Sequence, residues 1–167
     1  LLAGRGIRRV LEIGIDQGAS IRTWAEVWPD ALIVGVDVNP ACVALPMPPN
    51  VELVAADAAT ADGERRVRIA CGTSWDVIID DGSHRLEDVE ATAALFAPAL
   101  APGGFYVVED ALARPFGKTR WPAPMQAVIS ALHGVGLTVR EVHRSRLMFV
   151  AGGEDKGWCS MIVADRP

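Results

Sequence analysis

Short apolar runs alternate with segments of helical spacing through most of the chain. RRVLEIG (8–14), ALIVGVD (31–37), VELVAAD (51–57), WDVIIDD (75–81) and FYVVED (105–110) are nearly unbroken apolar runs that close on Gly, Asp or Glu. Such runs fit strands buried on both faces. Between them, ASIRTWAEVWP (19–29) carries Ile21, Trp24, Ala25 and Trp28 at helical spacing. DGERRVRIACG (62–72) reads as a weaker helix, and RLEDVEATAALFAPAL (85–100) aligns Leu86, Val89, Ala93 and Phe96 on one face. NPACVALPMPPN (39–50) holds four prolines, so any helix there is short or irregular. APGG (101–104) reads as a turn, and PMQAVISALHGVG (124–136) as a helix closed by glycine. LTVREVHR (137–144) and RLMFVAGG (146–153) look like a hairpin, with WCSMIVAD (158–165) as a last short strand.

Repeated strand–helix alternation implies a parallel sheet with helices on both faces. The expected fold is therefore α/β, a Rossmann-like, doubly wound, mostly parallel sheet with an antiparallel C-terminal edge. Asp37, Asp57, Asp80, Asp81, Glu109 and Asp110 all fall where strands end. In open α/β sheets the ligand crevice lies beyond those carboxyl ends. No domain boundary, internal repeat or low-complexity tract interrupts the pattern, and one domain over 1–167 is expected.

Composition adds limits. Half the residues are apolar and 22% are charged, which is globular rather than disordered. Net charge is −5 with no basic tract, so a nucleic-acid partner has little electrostatic support. Arg5, Arg8 and Arg9 read as a solvated start. No apolar stretch is long enough to cross a membrane. Cys42, Cys71 and Cys159 are odd in number and widely spaced, which fits reduced thiols in a cytoplasmic protein. The chain starts at Leu1 without a Met, which leaves room for a further N-terminal helix or oligomerisation segment.

Two motifs carry chemistry. VLEIGIDQGAS follows the first strand and opens the first helix. Gly14 and Gly18 permit a tight turn and close backbone approach by a ligand. The dinucleotide fingerprint is absent because Asp16 stands where its second glycine would be. A carboxylate there fits poorly against a pyrophosphate, which weakens a nicotinamide dehydrogenase reading. Glu12 suits a ligand with a positive centre. Asp37 stands where an acid grips ribose hydroxyls, and Asp57 could meet an adenine amino group. The alternative is a glycine turn whose acidic neighbours only cap helices. The order of these residues resembles class I S-adenosylmethionine-dependent methyltransferases.

The second motif is DVIIDDGSH (76–84), paired with YVVED (106–110) on the next strand of the sheet. Asp81, Glu109 and Asp110 can converge there, and a hard divalent cation such as Mg²⁺ would relieve their repulsion. A neutral His84 imidazole beside them can act as a general base. Asp80 either orients the neighbouring loop or faces the cofactor.

Taken together, residues 8–110 resemble the metal-dependent macrolide sugar O-methyltransferases of the macrocin and mycinamicin type, and the related cephalosporin hydroxylase group. The resemblance implies that Asp81, Glu109 and Asp110 hold Mg²⁺. It implies that His84 takes a proton from a substrate hydroxyl, and that Glu12, Gly14, Gly18 and Asp37 frame S-adenosylmethionine. The implied partner is a small hydroxylated molecule, sugar-bearing or polyhydroxylated. The sequence departs from that family after Asp110, where ALARPFGKTRWP replaces a His-Thr-Ser-aromatic segment. Rival functions are a catechol-type methyltransferase, a cephalosporin-hydroxylase-like protein, and a non-catalytic scaffold subunit that keeps the fold.

Overall fold

The computed structural model describes residues 6–110, 125–146 and 158–167, without side chains for 143–146 and 158–160. Among these residues seven strands form one sheet: β1 (Arg9–Ile13), β2 (Leu32–Asp37), β3 (Val51–Ala55), β4 (Trp75–Asp80), β5 (Leu100–Val108), β6 (Thr138–Arg146) and β7 (Trp158–Asp165). Their order is β3-β2-β1-β4-β5-β7-β6, with β7 antiparallel to both its neighbours and the other pairs parallel. The expected doubly wound sheet with an antiparallel C-terminal edge is what the chain forms. The strand order reverses between β1 and β4, and a crevice opens there at the carboxyl ends.

Among the described residues four helices cover the sheet: α1 (Ala19–Val27), α2 (Ala61–Cys71), α3 (Leu86–Phe96) and α4 (Met125–Gly134). Alternation along the strands splits the core in two. Leu11, Val34, Ile78 and Tyr106 pack with Val67, Phe96, Val128 and Leu132 from α2, α3 and α4. Val10, Ile33, Val77 and Val107 pack on the other face with Ile21 and Ala25 from α1. Trp24 and Trp28 border this second core and stack on each other at 5.5 Å. Thr60 caps α2 through its hydroxyl, which accepts from Gly63 N. The proline-rich connection holds only a short 3₁₀ turn, Pro40–Ala44.

Three elements differ from the sequence reading. APGG is not a free turn. Trp75 pairs with Leu100 and Val77 with Phe105, so residues 101–104 are an irregular excursion within β5. Gly103 N–H donates to the Arg166 carbonyl and Arg166 N–H to the Gly104 carbonyl, which gives that excursion backbone partners. Among the described residues, the strand that pairs with LTVREVHR is β7, WCSMIVAD. All of RLMFVAGG beyond Arg146 lies outside the described residues, as does ALARPFGKTRWP (111–122). Arg9 is also not simply solvated, because its guanidinium lies 5.0 Å over the Trp75 ring.

Candidate active site

The crevice has a volume of about 610 Å³. Its walls come from the β1–α1 loop, the ends of β2 and β3, and the loop after β4. Gly14, Asp37 and Asp57 line it, and so do Asp16, Asp80 and Asp81, while Gly18 is not among the lining residues. No Lys, Arg or His is among the lining residues. Such a wall opposes pyrophosphate and accepts an uncharged or cationic ligand.

Asp37 is tied to the loop it faces. Its Oδ2 accepts from the N–H groups of Ile15 (3.0 Å) and Asp16 (3.2 Å), and its Oδ1 from Asn39 N–H (2.8 Å). It therefore braces the glycine turn as well as facing the crevice. Asp57 Oδ1 accepts from Ala59 N–H at 3.0 Å. Gly14 and Gly18 have φ of 82° and 77°, the left-handed region that favours glycine. A Cβ at Gly14 would overlap the Asp81 carbonyl, and one at Gly18 the Met47 methyl. The closest neighbours of both glycines are therefore protein atoms.

Glu12 is not on the crevice wall. Alternation along β1 turns it toward α1, where it is 1% exposed. Ser20, which lines the crevice, donates its hydroxyl to Glu12 Oε1. Oε2 has no hydrogen-bond partner among the described residues. Burial pushes this carboxyl up to about 7, and Asp81 and Glu109 add to the rise, while the Ser20 hydroxyl opposes it.

At the end of β4 the two adjacent carboxylates separate. Asp80 is 4% exposed and accepts from the Thr92 hydroxyl and, at 3.3 Å, from the Tyr106 hydroxyl. Burial raises its pKa, against these hydrogen bonds. Asp81 instead turns to the rim beside His84 and Asp110. His84 Nε2 lies 3.8 Å from Asp81 Oδ1 and 4.0 Å from Asp110 Oδ2. One ligand atom from each of these three residues falls within 4.8 Å of the others. Burial, then Asp110 and Asp80, push Asp81 up to about 6. Glu109 is not in that close trio. It stands near enough that Asp81 and Asp110 raise its pKa after burial, while His84 lowers it.

Oxygen-rich carboxylates that disfavour one another's charge, with an imidazole alongside, are a donor set that suits a hard divalent cation. His84 and Asp110 reach these positions with φ of 55° and 54°, and Asp16 has 42°. Every described non-glycine residue with positive φ thus belongs to the two rim loops or the end of β5.

Asp88, Thr92 and Ser20 are among the lining residues that escaped the sequence reading. Asp88 and Thr92 are four apart on α3, hence on one helical face, and Ser83 donates its hydroxyl to Asp88. That spacing was the available signal.

A doubly wound sheet with an acidic crevice at its switch point defines a binder of a nucleoside-type cofactor. The chain belongs to the family described as a methyltransferase domain, whose model matches residues 11–111. It is 35% identical over 121 residues to the 8-demethyl-8-alpha-L-rhamnosyl tetracenomycin-C 2'-O-methyltransferase of Streptomyces olivaceus, covering 68% of this chain and 30% of that protein. It is 37% identical over 111 residues to the L-olivosyl-oleandolide 3-O-methyltransferase of Streptomyces antibioticus, covering 61% and 28%. The chain thus matches less than a third of the length of these relatives. In structure it resembles the MycE methyltransferase from the mycinamycin biosynthetic pathway, solved with Mg and SAH. The TM-score is 0.66 at 23% identity, over 99% of this chain and 47% of that one. The N-methyltransferase NodS of Bradyrhizobium japonicum WM9, solved with S-adenosyl-L-homocysteine, gives 0.69 at 21% identity, over 99% and 81%.

Proposed function

We propose that this chain carries the catalytic centre of an S-adenosylmethionine- and Mg²⁺-dependent O-methyltransferase. Its substrate would be a hydroxyl of a small sugar-bearing or polyhydroxylated natural product. The observation that carries this reading is the convergence of Asp81, His84 and Asp110 beside the crevice. The sugar O-methyltransferases among its relatives agree with it. Gly14, Asp37 and Asp57 would frame the cofactor, with Glu12 acting from behind Ser20 and Gly18 setting the turn. Asp81, Glu109 and Asp110 would hold the metal.

The bound cation supplies Lewis acidity toward a hydroxyl donor, and S-adenosylmethionine supplies the methyl group. His84 Nε2 would take the proton that leaves the hydroxyl. The loops holding Asp81 and His84 fix the acceptor oxygen relative to the crevice, and such alignment is most of what methyl transfer needs. A second reading has its own observation: His84 Nε2 is within ligand distance of the same point as the two carboxylates, so His84 would be a metal ligand instead.

Calorimetric titration with S-adenosylhomocysteine, with and without Mg²⁺, tests the proposal on the wild type and an Asp81→Ala/Glu109→Ala variant. Cofactor binding plus a Mg²⁺ heat that the variant loses is the expected result. Absence of cofactor binding would overturn the methyltransferase reading and favour a scaffold role. A Mg²⁺ heat that survives in the variant would overturn the metal assignment.

A further inference from the structure

We propose that Asp80 is a positioning residue that sets the geometry of the rim loop and so holds Asp81 and His84 where they meet Asp110. The inference rests on the reading of those three residues as the metal and proton-transfer site.

Asp80 is the last residue of β4 and reaches three elements. Its Oδ2 accepts from Thr92 on α3 and from Tyr106 on β5. Its Oδ1 faces the Gly82 N–H at 3.4 Å, in the first turn of the loop that delivers Asp81 and His84. Its main-chain carbonyl accepts from Glu109 N–H at 2.9 Å, which ties the end of β5 to the same residue. Tyr106 is 0% exposed and Thr92 3%, so neither hydroxyl can trade the carboxylate for water. The Thr92 hydroxyl has one proton and three acceptors in reach, the Asp88 and Val89 carbonyls and Asp80, of which the carboxylate is the strongest.

This arrangement has the form of an outer support for ligating groups. His84 sits in the left-handed region, which a histidine adopts only when its surroundings hold it there. Asp81 N–H donates to the Ile13 carbonyl at 2.9 Å, which fixes the first residue of the loop to β1. The Asp80 carboxylate fixes the next one to α3 and β5. Loss of such supports commonly weakens metal affinity 10–100-fold.

The test uses Mn²⁺ as the probe, with binding read by electron paramagnetic resonance, and the Gly82 amide read by NMR. Asp80→Ala should weaken Mn²⁺ binding by about 10–100-fold and shift and expose the Gly82 amide. Asp80→Asn, which keeps an acceptor for Gly82, should restore most of both. Tyr106→Phe, which removes a hydroxyl that is not itself on the crevice wall, should weaken Mn²⁺ binding in the same direction. It also carries the test if Asp80→Ala does not fold. Val128→Ala, a cavity at a buried α4 residue with no hydrogen bond to the loop, should lower stability and leave Mn²⁺ affinity unchanged. Wild-type Mn²⁺ affinity in both Asp80→Ala and Tyr106→Phe would overturn the proposal, as would equal losses in Val128→Ala. A wild type that binds no Mn²⁺ would instead refute the metal reading. In that event an unperturbed Gly82 amide in Asp80→Ala would refute the positioning role too.

Discussion

Asp80 and Asp81 are consecutive in the chain, yet their carboxylates serve different layers of the molecule. Asp80 points into the core shared with α3 and hydrogen-bonds Thr92 and Tyr106. Asp81 points to the rim and meets His84. The two-residue period of a strand resolves the apparent conflict of adjacent charges at a strand end. Of the two, Asp81 is the one whose pKa is raised by burial and by the like charges of both Asp110 and Asp80.

That asymmetry predicts opposite consequences for stability. Asp81→Asn removes a charge that burial, Asp110 and Asp80 all disfavour. The metal-free variant is expected to melt at a higher temperature than the wild type in the presence of a chelator, and to lose its Mg²⁺ heat. A lower melting temperature would show that Asp81 is needed for folding rather than for the cation.

Gly14→Ala forces a Cβ into the Asp81 carbonyl at a φ of 82°. Strain and overpacking together should cost roughly 2–4 kcal/mol. The displaced wall should also weaken Mg²⁺ binding. Urea denaturation and metal titration of the same variant check both. A variant that loses neither would mean that the two loops can part without cost.

His84→Ala separates the two roles open to this residue. As a general base, its loss slows methyl transfer by roughly 10²- to 10⁴-fold and leaves Mg²⁺ and S-adenosylhomocysteine affinities near wild type. As a ligand, its loss weakens Mg²⁺ binding directly. Single-turnover kinetics at saturating metal, set beside a metal titration, tell these apart.

Glu12 gives a pH signature. Its carboxyl is ordinarily near 4.5 and is raised to about 7 in the fold. The folded chain therefore holds this proton through a range where the unfolded chain has released it. The wild type loses stability from this group as pH climbs from about 4.5 to about 7, by about 3 kcal/mol in all. Glu12→Gln keeps an acceptor for the Ser20 hydroxyl and lacks the titration. The stability gap between variant and wild type should widen in the variant's favour from pH 5 to pH 8. Groups common to both chains cancel in that difference. A gap that does not change with pH would show that Glu12 is solvated.

The strands and the acidic rim were legible because buried parallel strands must be apolar until they emerge, and they emerge on polar residues. Asp37, Asp57, Asp80 and Asp81 were found this way, and all four line the crevice. Glu12 was found as an acid near the turn, but its retreat behind Ser20 depends on which pleat of β1 faces α1. Strand pairing was the less legible part. Both RLMFVAGG and WCSMIVAD have strand composition, and only the tertiary sheet selects β7 as the partner of β6. APGG has turn composition and forms part of β5, because Arg166 from the end of the chain supplies backbone partners that local sequence does not reveal.

Gly14 rests against the main chain of Asp81 with no side chain between them. The cofactor loop and the rim loop thus share a single wall. A ligand that shifts one face of that wall does work on the other. On the reading proposed above, those two faces belong to the cofactor and to the metal, and any coupling between them is reciprocal. Whatever factor Mg²⁺ applies to the affinity for S-adenosylhomocysteine, the nucleoside must return to Mg²⁺.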